Sequence, residues 1–352
     1  MKEIYHWQKN DWAHLQELGK RPHQALLFKG AKGIGKFDLA MNFAQSLLCQ
    51  EPGESGFACG KCSSCHWFDQ ASHPDFQLLQ PGLMAIKEVE GDFQLWEWTR
   101  RVANEAVEEE QRNSKKPSKE IPVLKIRELS NFINQSAHQG GKRVVVVFPA
   151  EAMNTSAANA LLKNLEEPPQ GLLFILVSHK PLQLLPTILS RCQPFTLSAP
   201  DTASASQWLA GQGVKNPEEA LAASGFSPLQ AVQLGEKLSS EERDKLLRTV
   251  RQPALLDVFA LAEALQKTEL VLVVQWLQQW CYDLSSMKLA GKLRYHLGEE
   301  AAIKKLVEPL APLSLTQLQK HLQTAKREAQ HTLNARLFLE SLLFTYCQCL
   351  NR

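Results

Sequence analysis

The stretch that most constrains the fold is Gly30–Phe37, which follows the apolar run Ala25–Phe28 after a single residue. Its sequence, GAKGIGKF, meets the pattern G-x-x-x-x-G-K-[ST] at every position except the last, where Phe37 stands. A strand, a glycine-rich turn and a helical pattern together let backbone amides, a helix N-terminus and a lysine surround phosphate groups. The sequence therefore predicts a phosphate-binding loop whose cofactor-binding residues are Gly30, Gly33, Gly35 and Lys36.

Both positions that would hold Mg²⁺ lack a metal ligand. A serine or threonine after the loop lysine would place its hydroxyl on the ion, and the side chain of Phe37 cannot do so. The buried run Val144–Val147 leads into Phe148–Ala150, so no carboxylate occupies the end of that strand, and Glu151 comes later. Because phosphoryl transfer needs a metal ion and a positioned water, we expect no ATP hydrolysis by this chain. The retained Lys36 leaves nucleotide binding open.

Strand patterns alternate with helical patterns in the first half of the chain. Val144–Phe148, which follows Arg143, and Leu172–Val177 are continuous apolar runs typical of parallel sheets, and a helical pattern from Ser156 to Glu167 separates them. This alternation predicts a doubly wound α/β domain. Beyond about Leu197 only helical periods remain, so we expect helical domains to follow.

Composition and charge limit the class of protein. The 352 residues are 44% hydrophobic and 22% charged, with a formal net charge of +2, which does not indicate a dedicated nucleic-acid-binding protein. No apolar run approaches the roughly 18 residues of a membrane helix, and the first residues lack the apolar core of a signal peptide. We therefore expect a cytoplasmic protein without a membrane partner, whose eight cysteines are reduced.

Four of the cysteines are closely spaced, in the pattern C-x9-C-x2-C-x2-C formed by Cys49, Cys59, Cys62 and Cys65. Four thiolates in a short glycine-bearing loop suit tetrahedral Zn²⁺, and a closed set of four ligands would make the role structural. Free structural thiols are the alternative interpretation. His66 could substitute for one ligand, although four cysteines do not require it.

The segment from Gly82 to Pro122 interrupts the α/β pattern. It combines two tryptophans with a charged, low-complexity run, which is typical of a solvated insertion. A regulatory or DNA-contacting loop is the alternative for this segment.

Several motifs resemble those of bacterial clamp-loader AAA+ subunits. Asn159–Pro169, with the sequence NALLKNLEEPP, and Thr187–Cys192, with the sequence TILSRC, carry most of the likeness. The cysteine loop and the C-terminal stretch Asn334–Glu340 strengthen it. The resemblance implies a RecA-like AAA+ P-loop domain with a zinc module, a helical lid and an all-helical collar that oligomerises. The corresponding boundaries are 1–197 (zinc module 49–65, insertion 82–120), 198–243 and 244–352.

Within that family the chain is similar to the stationary members, which do not hydrolyse ATP. Leu229 stands where motor subunits would offer an arginine to the nucleotide. The resemblance also implies that Arg191 is an arginine finger, presented to ATP bound by a neighbouring subunit. The implied partners are gamma/tau-like motor subunits and a delta subunit, and the assembled complex acts on the sliding clamp and primed DNA.

Two alternative functions remain open from the sequence. One is an active AAA+ motor subunit with unusual metal coordination, which ATP turnover by the isolated chain would reveal. The other is a zinc-dependent nucleic-acid-binding protein, which would show strongly salt-sensitive binding. The near-neutral charge argues against the second alternative.

Overall fold

The computed structural model describes residues 4–19, 25–82, 118–138, 141–232, 241–329, 331 and 333–350. The chain divides into two compact units, residues 1–204 and 205–352. Most of the predicted insertion, residues 83–117, lies outside the described residues. The further division of the second unit into a lid and a collar stays a prediction.

The first unit contains a sheet of five parallel strands. The strands are β1 Ala25–Lys29, β2 Phe76–Leu79, β3 Arg143–Val147, β4 Leu172–Ser178 and β5 Gln193–Thr196. Their order in the sheet is β2-β3-β4-β1-β5. The central strands β3 and β4 are buried along their whole length, as continuous apolar runs between two layers of helices require. The predicted α/β class with a parallel sheet is confirmed.

Helices pack on both faces of this sheet. They are α1 Lys9–Gly19, α2 Lys36–Leu48, α3 Ser63–Asp69, α4 Val123–Asn134, α5 Thr155–Glu166 and α6 Pro186–Leu189, with 3-10 helices at His6–Gln8, Ala150–Ala152 and Pro181–Gln183. Successive side chains of a strand point to opposite faces. Accordingly, Leu26 and Phe28 of β1 join the core formed with α1, α2 and α3. Ala25 and Leu27 join the core formed with α4, α5 and α6.

The helix α3 was not expected from the sequence. The segment Gln50–His66 shows no helical or strand period, yet a helix begins within it at Ser63. The helix has seven residues, which is too short to show a clear period of 3.6. Its start depends instead on Cys62, whose Sγ accepts a hydrogen bond from the Cys65 N–H.

The described secondary-structure elements of the second unit are all helices, joined by turns and loops. Its helices are α7 Thr202–Gly211 (which begins just before the boundary), α8 Pro217–Ala223, α9 Glu241–Val250, α10 Val258–Leu265, α11 Leu270–Ala290, α12 Glu300–Val307, α13 Pro312–Glu328 and α14 Ala335–Leu350, with 3-10 helices at Pro253–Leu255 and Leu297–Glu299. The tryptophans of α11, Trp276 and Trp280, are buried in its core. The Trp280 indole N–H donates to the Tyr346 hydroxyl at 2.9 Å, and that hydroxyl donates to the Val250 carbonyl at 2.7 Å. These bonds join three helices through groups that burial would otherwise leave unsatisfied.

None of the described helices has the length and apolar character needed to cross a membrane.

Candidate functional site

Three segments with site residues meet at one edge of the sheet. The P-loop follows β1, Phe148 follows β3 and His179 follows β4. These strands are parallel and adjacent, in the order β3-β4-β1. The carboxyl ends of parallel strands share an edge, which is where ligands bind in open α/β sheets. The order of the strands therefore brings the loop, Phe148 and His179 together.

The P-loop lies between β1 and α2, as predicted. Gly33 and Gly35 have φ values of +73° and +83°, in the region that glycine adopts without strain. The side chain of Lys36 is buried, and its Nζ donates a hydrogen bond to the Ala31 carbonyl oxygen at 2.5 Å. The lysine that would contact phosphate is thus directed at the backbone of its own loop.

The N-terminal segment closes over the other side of the loop. Gln8 Nε2 donates to the carbonyl oxygens of Ile34 at 3.0 Å and Gly35 at 2.8 Å. The Tyr5 hydroxyl donates to the Asp38 carboxylate at 2.7 Å. A Cβ added at Gly35 would lie 2.5 Å from the Tyr5 ring. We call Tyr5 and Gln8 the N-terminal clasp, a feature that no pattern in the sequence indicated.

The two positions expected to lack metal ligands are in direct contact with each other. The rings of Phe37 and Phe148 stack with centroids 4.3 Å apart and an angle of 21° between their planes. Both side chains are about 1% exposed. The space between the start of α2 and the end of β3 is therefore filled with aromatic carbon. Mg²⁺ requires oxygen ligands in octahedral geometry, and this pair supplies none.

His179 is a site residue that the sequence reasoning missed. Its ring packs edge-on against Phe148, with centroids 5.5 Å apart, and its backbone N–H donates to Glu151 Oε1 at 3.0 Å. Burial and nearby lysines, foremost Lys36, lower the pKa of His179 to about 2, so the imidazole is neutral at physiological pH. Its position directly after the buried strand β4 was the available signal. The Glu151 carboxylate accepts a hydrogen bond from the backbone at this edge of the sheet.

The four cysteines form a compact cluster. One sulfur from each of Cys49, Cys59, Cys62 and Cys65 lies within 4.8 Å of the other three. The Cys49–Cys62 and Cys59–Cys65 sulfur pairs are 3.9 and 4.0 Å apart. Zinc–sulfur bonds of about 2.3 Å in a tetrahedron place the sulfurs about 3.8 Å apart, so the cluster fits Zn²⁺. Four thiolates leave no open coordination position, and His66 is not part of the cluster.

Backbone amides around the cluster stabilise negative charge on the sulfurs. The Cys59 N–H donates to Cys49 Sγ at 3.2 Å, and the Cys65 N–H donates to Cys62 Sγ at 3.4 Å. Burial opposes ionisation of Cys62, but hydrogen bonds led by the Cys65 and Gln50 amides outweigh it and lower its pKa to about 6. Burial raises the pKa of Cys65. Binding of a metal ion would release the remaining thiol protons.

Arg191 lies on the turn after α6, within the motif Thr187–Cys192. Its Nη2 pairs with Glu166 Oε1 at 2.6 Å, and its Nη1 donates to the Thr187 carbonyl at 3.0 Å. Cys192 is buried beside it, and burial raises the pKa of that thiol to about 12. The partners of Arg191 among the described residues do not include the P-loop. Sequence reasoning singled out Arg191 but missed its pairing with Glu166.

The fold and these sites define a P-loop α/β protein with apolar residues in place of its metal ligands and a four-cysteine cluster. A family model described as "DNA polymerase III, delta subunit" matches residues 7–201. The DNA polymerase III subunit delta' of Pseudomonas aeruginosa is 35% identical and covers 97% of each chain. The subunits of the same name from Haemophilus influenzae (31% identical; 76% of this chain, 72% of that one) and Escherichia coli K12 (29%; 88% and 85%) also match.

The chain therefore belongs to the family of DNA polymerase III delta' subunits. A solved structure described as a DNA polymerase III gamma subunit-related protein from Thermotoga maritima aligns with a TM-score of 0.44 and 17% identity, over 97% of this chain and 99% of that one. At that TM-score the likeness supports no conclusion.

Proposed function

We propose that this chain is the stationary, non-hydrolysing subunit of a clamp loader, the ATP-driven complex that places a sliding clamp on primed DNA. The stacked pair of Phe37 and Phe148 carries the proposal. A metal-dependent ATPase needs oxygen ligands at these two positions, and two buried phenyl rings exclude both the ion and its water. Membership of the delta' family supports the same role.

The chain contributes to ATP hydrolysis through Arg191, offered to the nucleotide of a neighbouring motor subunit. The guanidinium is permanently charged and planar, so it can contact two phosphate oxygens at once. An arginine supplied in trans accelerates phosphoryl transfer by about 10³–10⁵. Arg191 is 34% exposed and is held at the end of a short helix, where a neighbour could reach it.

The partners are those of a loader subunit within a DNA polymerase holoenzyme. Gamma/tau-like motor subunits and a delta subunit complete the hetero-oligomer, and the sliding clamp and primed DNA are engaged through the complex. The net charge of +2 favours modest DNA contact by this chain itself. The cysteine cluster holds structural Zn²⁺, and replication of bacterial DNA places the protein in the cytoplasm.

The test is ATP hydrolysis by the reconstituted loader, stimulated by clamp and primed DNA. Replacing Arg191 with alanine should cause a marked loss of turnover while assembly is retained. Arg127→Ala, an exposed arginine on α4, is the matched control and should leave turnover unchanged. Unchanged turnover in Arg191→Ala would overturn the finger role. ATP turnover by the isolated chain would overturn the assignment as a non-hydrolysing subunit and favour the motor alternative.

A further inference from the structure

The guanidinium of Arg191 is held by acceptors from two different helices. Glu166 is the last residue of α5, and its Oε1 lies 2.6 Å from Arg191 Nη2. The Thr187 carbonyl of α6 accepts from Nη1 at 3.0 Å, and the Ser190 hydroxyl lies 3.3 Å from the same nitrogen. Anchors on two separate nitrogens define both the direction of the side chain and the plane of its guanidinium.

We propose that Glu166 is a positioning residue for Arg191, orienting the guanidinium before a neighbour's ATP arrives. This inference rests on the proposed role of Arg191 as a finger. Arginine has a long side chain with many rotamers, and ordering it at the moment of contact would cost conformational entropy. A carboxylate fixed on the end of α5 removes much of that cost in advance, as supporting residues do around other reactive groups.

The ion pair leaves Arg191 able to contact phosphate. A guanidinium has five N–H groups, and the three acceptors use only Nη1 and one side of Nη2. Arginine keeps its charge beside a carboxylate because its pKa is above 12. The side chains of Arg191 and Glu166 are 34% and 48% exposed, so the pair is weak enough to adjust when a phosphate approaches.

The other interpretation is an ordinary surface ion pair without a role in catalysis. Many such pairs contribute nothing measurable, so proximity alone does not decide the question. The two interpretations differ in coupling. A positioning residue acts only through Arg191, and its removal should have no effect once Arg191 is gone.

The experiment measures clamp- and DNA-stimulated ATP hydrolysis by the reconstituted loader. It compares Glu166→Ala, Glu166→Gln and Glu167→Ala, each with Arg191 present and with Arg191→Ala. Glu167 is the neighbouring exposed carboxylate and has no ion pair with Arg191, so it is the matched control. With Arg191 present, we expect Glu166→Ala to lower kcat about two- to fivefold and to leave KM for ATP within about twofold. Glu166→Gln should retain more activity, because its amide oxygen still accepts from Nη2.

The results test the positioning role of Glu166 and the finger role of Arg191 separately. No additional loss from Glu166→Ala in the Arg191→Ala background, together with an unaffected Glu167→Ala loader, would support positioning. The same fractional loss in both backgrounds would overturn it, and so would wild-type or increased turnover in Glu166→Ala while Arg191→Ala is impaired. Full activity of Arg191→Ala would instead overturn the proposed function, and the inference with it.

Discussion

Phe37, in the first turn of α2, stacks on Phe148, the residue that follows β3, with ring centroids 4.3 Å apart. A metal-dependent P-loop enzyme would carry a hydroxyl at the first position and a carboxylate at the second. In this protein the two positions have become a single hydrophobic contact within the core of the α/β unit. The two residues on which the proposed lack of ATP hydrolysis depends are therefore the same two that supply this packing contact.

This contact predicts that Phe37 contributes to stability. Phe37→Ala should lower the free energy of unfolding by about 3–5 kcal/mol, because a buried ring is removed and a cavity remains beside Phe148. Denaturant titration of the purified chain measures the change. Leu182→Ala is the control, since Leu182 is 95% exposed and should have little effect. Phe37→Ser should be at least as destabilised and should not gain ATP turnover, because Phe148 still supplies no metal ligand; turnover by that variant would contradict the prediction.

The N-terminal clasp predicts that substitution of Gly35 lowers the stability of the protein more than substitution of a glycine that has a positive φ and open space around it. Gly35→Ala combines a left-handed backbone with a Cβ placed 2.5 Å from the Tyr5 ring and 2.8 Å from Gln8 Nε2. Gly213 has a similar φ of +78° with open space around it and lies outside the cysteine cluster, so Gly213→Ala measures the backbone cost alone. That cost is about 1 kcal/mol. We expect Gly35→Ala to be clearly more destabilising in zinc-saturated protein, by denaturant titration. Equal losses of stability in the two variants would show that Tyr5 and Gln8 move aside at no cost, and would contradict the prediction.

The cysteine cluster predicts one bound zinc ion per chain. Cys65→Ser should lose the metal and destabilise the α/β unit, because the fourth thiolate closes the coordination sphere. Elemental analysis gives the stoichiometry, and a chelator added during thermal unfolding tests its link to stability. Cys347→Ser, outside the cluster, should keep a full equivalent of zinc. If the purified wild-type protein contains no zinc and its thermal unfolding is unchanged by a chelator, the four cysteines are free structural thiols instead.

Buried Asp283 predicts that the stability of the protein depends on pH in the acid range. Its carboxylate accepts from the backbone N–H groups of Arg294, Tyr295 and His296 and from the His296 ring. Burial alone would raise its pKa, but these hydrogen bonds, led by the one from the His296 ring, outweigh it and hold the pKa below the ordinary value of 3.8. A group whose pKa is lowered on folding stabilises the protein above its unfolded pKa and loses that effect as pH falls through the folded value.

We therefore expect Asp283→Asn to be about 3–5 kcal/mol less stable at pH 7. The carboxylate accepts hydrogen bonds on both of its oxygens, whereas the amide of asparagine has a single oxygen acceptor and no charge. Below about pH 4 the difference from wild type should shrink. Chemical denaturation across pH 2–7 measures both effects. Asp257→Asn is the control, because Asp257 caps α10 at an exposed position and asparagine caps helices equally well. A difference that stayed constant down to pH 2 would contradict the titration of Asp283.

The sequence by itself determined the features that depend on neighbouring residues. The P-loop between β1 and α2, the apolar runs of β3 and β4 and the spacing of the four cysteines are all short-range patterns. Each is interpretable because strand periodicity, turn chemistry and ligand spacing operate within about twenty residues. The helix α3 was not predicted for the same reason, since its seven residues are too few to show a clear periodicity.

Only the tertiary structure decided which distant residues meet. The contacts of Phe37 with Phe148, Arg191 with Glu166, and Tyr5 with Asp38 join segments far apart in the chain. The first of these contacts follows from the strand order β2-β3-β4-β1-β5, which places the carboxyl ends of β3, β4 and β1 side by side. Hydrophobic periodicity shows that a strand is buried but not which strand lies beside it. The packing of the whole unit determines which strands are neighbours, and therefore which residues meet at the site.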